Sequence, residues 1–421
     1  MKFCDKDSAK SCHYESAKRP SSLRVLALCG GTKQSLYFVI ILALAIKFSL
    51  FAFAAIHAPQ GKLLPDSYGY LRLADTIVTK GVFGIKNEDG TLSYDMFRTP
   101  GYPLLLAIVN GILKIRLDGV VLLQIVMTLL AAWITYRTAL EIDPRIALLS
   151  MAIILFDPPI TIFSLTILTE SLFLLLIAIF MLNFTLYLKH KKAVFIVLSA
   201  IILATATYVR PIGYYLGFAI FFFILYASKG KDFWKHLKYA VIFIVIVYSI
   251  IGLWQVRNYI RCHDAGFCYA ERFDLNHQGL FKSYARNTDS YTQGMAPLPY
   301  YVNVTFRSLM SLMTRPGNFK YFGSDTLTLA GKVLGYPWMI FWLSGFIIGI
   351  AKIRHNIYVK FTLFITFYFI ITSVGALLWG VSERLRVPMM PFIAIISAYG
   401  WVSLRGRLRR RQAEAISSKK A

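Results

Sequence analysis

The chain has 421 residues, 57% of them hydrophobic and only 16% charged, whereas a soluble protein of this length is about one quarter charged. That balance excludes a soluble globular enzyme, a disordered scaffold and a disulfide-stapled secreted module, and it leaves a polytopic membrane protein. A formal charge of +25, from 46 Lys+Arg against 21 Asp+Glu, reads either as a nucleic-acid footprint or as a topology signal, and its distribution decides between them.

Runs of roughly 17 to 25 apolar residues are candidate spans. A basic arm over 1–34 precedes the first of these, 35–56, which is too long for the apolar core of a signal peptide and reads as an uncleaved anchor. A long polar segment, 57–118, follows. In it, Ser67-Tyr-Gly-Tyr-Leu-Arg-Leu-Ala-Asp-Thr-Ile-Val predicts an amphipathic interfacial helix with Asp66 at its N-cap. The apolar stretch 101–113 is short and reads as re-entrant or interfacial. Spans then fall at 119–140, 146–163, 171–188, 193–209, 212–227 and 239–254. After a second long segment, 255–332, rich in Tyr, Asn, Arg and Gly, come 333–350, 361–379 and 387–404, and a basic tail over 405–421. The expected fold class is an all-α polytopic membrane protein of about ten transmembrane helices over 35–404.

Lys and Arg near span ends favour the cytoplasm. The arm, the tail and three alternate loops (Lys189, Lys191 and Lys192; Lys229, Lys231, Lys235 and Lys238; Lys352, Arg354 and Lys360) hold most of the positive excess. Both termini are therefore expected in the cytoplasm, with segments 57–118 and 255–332 outside. The charge is a topology signal, and no nucleic-acid partner is implied. No Gly-x-Gly-x-x-Gly after a strand, P-loop or His-Glu-x-x-His is present, so an activated substrate is expected to arrive within the membrane. The seven histidines have no ligand spacing, and no metal site is predicted; a divalent cation bridging carboxylate and phosphate is left open. Cys262 and Cys268 lie in the second external segment; a disulfide between them and two free thiols are equally open readings.

Ionisable residues at membrane boundaries tend to mark sites. At the external span ends stand Asp66, Arg98, Glu170, Arg210, Arg257, Glu383, Arg384 and Arg386. Carboxylates and arginines on one face are the material for a cavity with a base and anion-binding groups. The fitting chemistry is glycosyl transfer from a lipid-phosphate sugar. A carboxylate accepts the proton of an attacking hydroxyl, and arginines stabilise the departing phosphate. Asp66 is the expected base, with the helix cap as its structural alternative. Arg257, Arg210, Arg384 and Arg98 are the expected phosphate binders, with lipid headgroup contact as the alternative. Glu170, Tyr70 and Tyr102 are expected to orient the acceptor; an ion pair at the span start is an equal reading of Glu170. Lys47, mid-span, is assigned no chemistry.

These stretches resemble the GT-C membrane glycosyltransferases, the group of dolichyl-phosphate-mannose protein mannosyltransferase-like and aminoarabinose-transferase-like enzymes. The resemblance is carried by Pro65-Asp-Ser-Tyr-Gly-Tyr-Leu-Arg-Leu-Ala with Arg98-Thr-Pro-Gly-Tyr-Pro, and by Leu168-Thr-Glu-Ser-Leu-Phe. Tyr208-Val-Arg-Pro, Trp254-Gln-Val-Arg-Asn-Tyr and Glu383-Arg-Leu-Arg-Val-Pro-Met-Met-Pro-Phe complete it. It implies a GT-C bundle with periplasmic juxtamembrane helices, a polyprenyl-monophosphate sugar donor, inversion at the anomeric centre, and Asp66 as base. Many members carry two adjacent acids at that point; here Ser67 takes the second place, which weakens a paired-acid or metal role.

The expectation is an integral protein of the bacterial inner membrane with a periplasmic site and no resident cofactor. It would transfer a sugar to an envelope glycan or glycolipid such as lipopolysaccharide. The alternatives are a protein O-glycosyltransferase using the same donors, a polymerase or ligase of lipid-linked oligosaccharides, and a flippase of lipid-linked sugars.

Overall fold

The computed structural model describes residues 33–228, 232–268, 294–317, 319–353, 356–376 and 382–418. The basic arm and the middle of the second external segment lie outside the described residues. The first apolar run forms α1 (Lys33–His57). The first external segment folds as α2 (Pro65–Lys80), a two-stranded antiparallel hairpin of β1 (Gly84–Lys86) and β2 (Leu92–Tyr94), and the short α3 (Gly101–Leu106), which runs on as one π-helical turn to Ile112. The membrane bundle continues with α4 (Leu117–Ile142), α5 (Ala147–Leu155), α6 (Pro158–Ser164), α7 (Glu170–His190), α8 (Ala193–Val209), α9 (Leu216–Ala227) and α10 (Phe233–Cys262). After it come α11 (Pro297–Thr314), α12 (Asp325–Lys352) and α13 (Ile357–Ala376). A 3-10 segment, Glu383–Met389, then leads into α14 (Met390–Ser418).

Seven helices among the described residues are long and apolar enough to cross a membrane, and an eighth span is counted if the bent pair α5 and α6 is one crossing. The run 146–163, expected as one straight span, bends by 55° at Phe156-Asp157-Pro158. Pro158 has no N–H to continue the ladder of α5, and the Asp157 side chain caps α6 by accepting from the Ile160 amide at 3.3 Å. The expected spans at 193–209 and 212–227 are helices of fewer than 18 residues. Between them Arg210 precedes Pro211 and takes an extended conformation, so α8 ends at Val209. The last helix runs past the expected boundary at 404 to Ser418.

Lipid supplies no water to satisfy a backbone, so the spans are helical, and their packing rests on close contact. Phe184 stacks on Phe361 with ring centroids 4.5 Å apart, and Phe223 lies 5.4 Å from the same ring, which joins α7, α9 and α13 through aromatic faces. α12 and α14 approach closely through small residues: a Cβ on Gly400 would lie 2.0 Å from the Gly345 carbonyl oxygen. By contrast, α1 is mostly exposed and is fastened to the bundle by one buried polar contact, Lys47 donating to Thr161 of α6 at 3.0 Å.

Candidate functional site

Helix α2 begins where Leu64 turns extended and Pro65 sets the first helical φ. Ser67 makes the polar contact at this end: its Oγ accepts from the Leu64 amide at 3.0 Å and donates to the Ile167 carbonyl at 2.8 Å. Asp66 is therefore not the N-cap that the sequence predicted; Leu64 is, and the Asp66 carboxylate is left to point outward from the first turn. The Ser67 bond also fixes α2 to the irregular stretch just before Glu170. That stretch is held from behind by Gln124 of α4, which donates to the Thr166 carbonyl and accepts from the Tyr102 hydroxyl. Gln124 is thus a three-way bridge between α4, the Tyr102 hydroxyl and the Thr166 carbonyl.

Asp66 and Glu170 meet across Arg384. Arg384 donates through Nη1 to Asp66 at 2.7 Å and through Nε to Glu170. Arg210 donates to the same Glu170 oxygen at 3.0 Å, and Arg98 lies 3.6 Å from the other Asp66 oxygen. Glu170 is wholly buried, whereas the Asp66 side chain is 44% exposed. Three guanidiniums face two carboxylates, an excess of one positive charge. Burial raises the Asp66 pKa, but the Arg384 hydrogen bond and the charges of Arg384, Arg98 and Arg210 outweigh it and hold the carboxyl below its usual range. Arg98 also lies over the Tyr70 ring, 5.2 Å from its centroid, and the absence of a Cβ at Gly69 gives its guanidinium room across α2.

A cavity of about 570 Å³ opens beside Asp66 and Arg384. Arg315, Lys332 and Glu383 also line it. Arg315 and Lys332 are exposed and have no ion-pair partner among the described residues. A second, apolar groove of about 620 Å³ borders the same elements, α6, the turn after α11 and α12, and is lined also by Ile46 and Leu50 of α1 and by Phe156 and Trp338. Arg315 and Lys332 were not singled out from the sequence. The signal was present in Arg315-Pro-Gly, a cation fixed by a turn between two helices.

Arg257, ranked first as a phosphate binder, is turned elsewhere. Its guanidinium lies 4.7 Å from the Trp254 ring centroid and donates to the backbone carbonyls of Phe83 at 2.6 Å and Asp95 at 3.0 Å. It clamps the hairpin onto α10. The Asp95 carboxylate in turn accepts from the Arg98 amide at 2.8 Å, so Arg257 is linked to the Asp66 cluster only indirectly, through Asp95 and Arg98. Burial raises the Asp95 pKa, against the Arg98 amide and charge. Tyr102 is also corrected: it is fully buried, its hydroxyl donates to Gln124, and its ring meets that of Tyr70 edge-on at 5.3 Å, so it braces Tyr70 from below. Arg386 is buried and donates to the carbonyls of Leu312 at 2.8 Å and Arg315 at 2.9 Å, which fixes the turn that presents Arg315. Cys262 and Cys268 are separate thiols, and the Cys268 thiol donates to the Phe97 carbonyl.

Among the described residues, no three His, Cys, Asp or Glu side chains are grouped to hold a metal ion. The two facing carboxylates, Asp66 and Glu170, have the Arg384 guanidinium between them.

The family model of dolichyl-phosphate-mannose-protein mannosyltransferases matches residues 98–254, which include Arg98, Glu170 and Arg210. No curated protein sequence matches the chain. The solved oligosaccharyltransferase AglB from Archaeoglobus fulgidus is similar in its apo form at a TM-score of 0.54, with 16% identity over 90% of this chain and 52% of that one. Its complex with an inhibitory peptide and a dolichol-phosphate is similar at 0.52, with 15% identity over 88% and 52%. The chain thus spans about half the length of these archaeal relatives. ArnT from Cupriavidus metallidurans, bound to undecaprenyl phosphate, aligns at 0.42, with 12% identity over 86% and 76%.

Proposed function

We propose, on the premise that this chain is a membrane protein of the GT-C glycosyltransferase fold, that it transfers a sugar from a polyprenyl-monophosphate carrier to a hydroxyl of an envelope glycan or glycolipid at the periplasmic face. The observation that carries this reading is the half-exposed Asp66 between Arg384 and Arg98 at the rim of a cavity lined also by the exposed cations Arg315 and Lys332. A phosphate needs the positive excess; a neutral acceptor hydroxyl needs the base.

Asp66 accepts the proton of the acceptor hydroxyl as its oxygen attacks the anomeric carbon. The bond from that carbon to the phosphate oxygen breaks, and the electron pair leaves with the polyprenyl phosphate. Its growing charge is met by Arg384, held in place by Glu170, and by the exposed Arg315 and Lys332. Attack from the side opposite the phosphate inverts the anomeric centre. The apolar groove beside the cavity supports a long isoprenoid tail. The exposed Phe97 ring lies 5.6 Å from the Arg98 guanidinium carbon and offers an apolar face to an acceptor sugar. Arg210 and Arg98 keep a role as charge around the carboxylates, and Arg257 as the clamp of the loop.

The test is mass spectrometry of lipid-linked sugars and envelope glycans in a deletion strain, joined to transfer by the purified protein in vesicles. Accumulated polyprenyl-phosphate sugar with a glycan short of one residue supports the reading and names both substrates. An unchanged glycan and lipid profile, with no transfer in vesicles, overturns it.

A further inference from the structure

Arg384 is shared by two carboxylates that differ in one respect. Glu170 has no exposed surface and a second partner in Arg210. Asp66 is 44% exposed, stands at the cavity rim and can return to water when it loses a partner. An anion that enters the cavity therefore competes with Asp66 for Arg384, and it leaves the Glu170 contact intact, because taking one of two cationic partners from a wholly buried carboxylate is more costly than taking one from a carboxylate at a rim that water can solvate.

As it stands, Asp66 is a poor proton acceptor. One oxygen takes the Arg384 hydrogen bond, and the other faces Arg98 at 3.6 Å. Both groups favour the ionised form without a proton. A base for a sugar hydroxyl must be released from some of this charge before it can accept one.

We infer that the phosphate of the lipid carrier takes Arg384 over from Asp66, that Asp66 is thereby freed as the base, and that Glu170 is a positioning residue which keeps the guanidinium in place during the exchange. Sugar donor binding then precedes and enables productive acceptor binding. Asp66 takes the side of Arg384 that the phosphate would take, and Glu170 holds the guanidinium from the other. The inference rests on the proposed lipid-phosphate donor.

The experiment measures binding of polyprenyl monophosphate to the full chain in nanodiscs. Removing the competing charge by Asp66→Asn is expected to tighten binding about tenfold while transfer is lost, because Arg384 is then unclaimed at the rim. Glu170→Gln is expected to weaken binding about tenfold, with turnover at saturating sugar donor less affected. A purely structural role for either carboxylate gives no tightening in the first variant. Asp66→Ala serves as the second rim variant, with the same expected sign. If wild type binds polyprenyl monophosphate and neither Asp66 variant binds it more tightly, the exchange is overturned and the donor reading stands. If wild type does not bind it, the donor reading falls, and the exchange with it.

Discussion

Arg386 and Asp157 face each other at 4.0 Å with about 1% of either side chain exposed. Asp157 sits at the bend between α5 and α6, and Arg386 on the 3-10 segment that enters α14, so the pair joins the kink to the turn that presents Arg384. Removing one partner of a buried ion pair typically costs about 3–5 kcal/mol, because the other charge remains. Arg386→Leu is expected to lower the thermal unfolding temperature of the solubilised protein markedly. The double variant Arg386→Leu with Asp157→Asn is expected to recover the part of that loss due to the stranded Asp157 charge, while the carbonyls of Leu312 and Arg315 stay without their donor. A double variant no better than the single one refutes the pairing.

For Asp66→Asn, a positioned general base contributes typically 10²–10⁴-fold, so turnover is expected to fall by roughly that factor. The side chain is half-exposed and caps nothing, so the unfolding temperature is expected to stay near that of wild type. Transfer in vesicles and thermal unfolding are measured on the same preparation; full turnover in the variant removes Asp66 as base.

Asp66 also sets a pH dependence. Its carboxyl is held below the usual range against the opposing effect of burial, by Arg384, Arg98 and Arg210. A depressed carboxyl stabilises the folded state at pH values above the unfolded carboxylate pKa of about 3.9, and that contribution is lost as pH falls through the folded value. The gap in unfolding temperature between wild type and Asp66→Asn is expected to be small, as solvent screens a half-exposed group, constant above about pH 5, and to shrink below about pH 4. A gap that grows toward acid contradicts this sign.

Gly69 separates stability from activity. A Cβ there would lie 2.4 Å from the Arg98 guanidinium carbon, which moves aside at the end of a flexible side chain. Alanine within a helix is favoured over glycine by about 1 kcal/mol. Gly69→Ala is expected to leave or raise the unfolding temperature while transfer drops several-fold, through the displaced Arg98. Unchanged transfer argues that Arg98 has no part in the reaction.

The spans were readable because lipid demands unbroken apolar length, a property local in sequence. The bend in 146–163 was written in Asp157-Pro158, yet the run stays apolar on both sides, and length concealed it. The charged residues at one end of the bundle were readable as a set. Their pairing was not, since an arginine at a span end looks the same whether it faces a carboxylate or a backbone carbonyl. Arg384 faces Asp66 and Arg257 the hairpin. Tyr102 stands in the same motif as Arg98, but its burial against Gln124 depends on packing between α3 and α4.

Arg257 can be tested by that difference. Arg257→Leu is expected to expose the hairpin to limited proteolysis between about residues 84 and 97 and to lower turnover, with binding of polyprenyl monophosphate near the wild-type value. Loss of binding without added cleavage reassigns it to the phosphate.

The Asp66–Arg384 contact joins residues 318 apart in the chain, one following the first membrane helix and the other preceding the last. During synthesis the early helices enter the membrane long before Arg384 exists. The Asp66 carboxylate therefore has Arg98 nearby early but lacks Arg384 until the segment before α14 is made. A chain stopped before Arg384 keeps most of its membrane helices and lacks the guanidinium that joins Asp66 to Glu170.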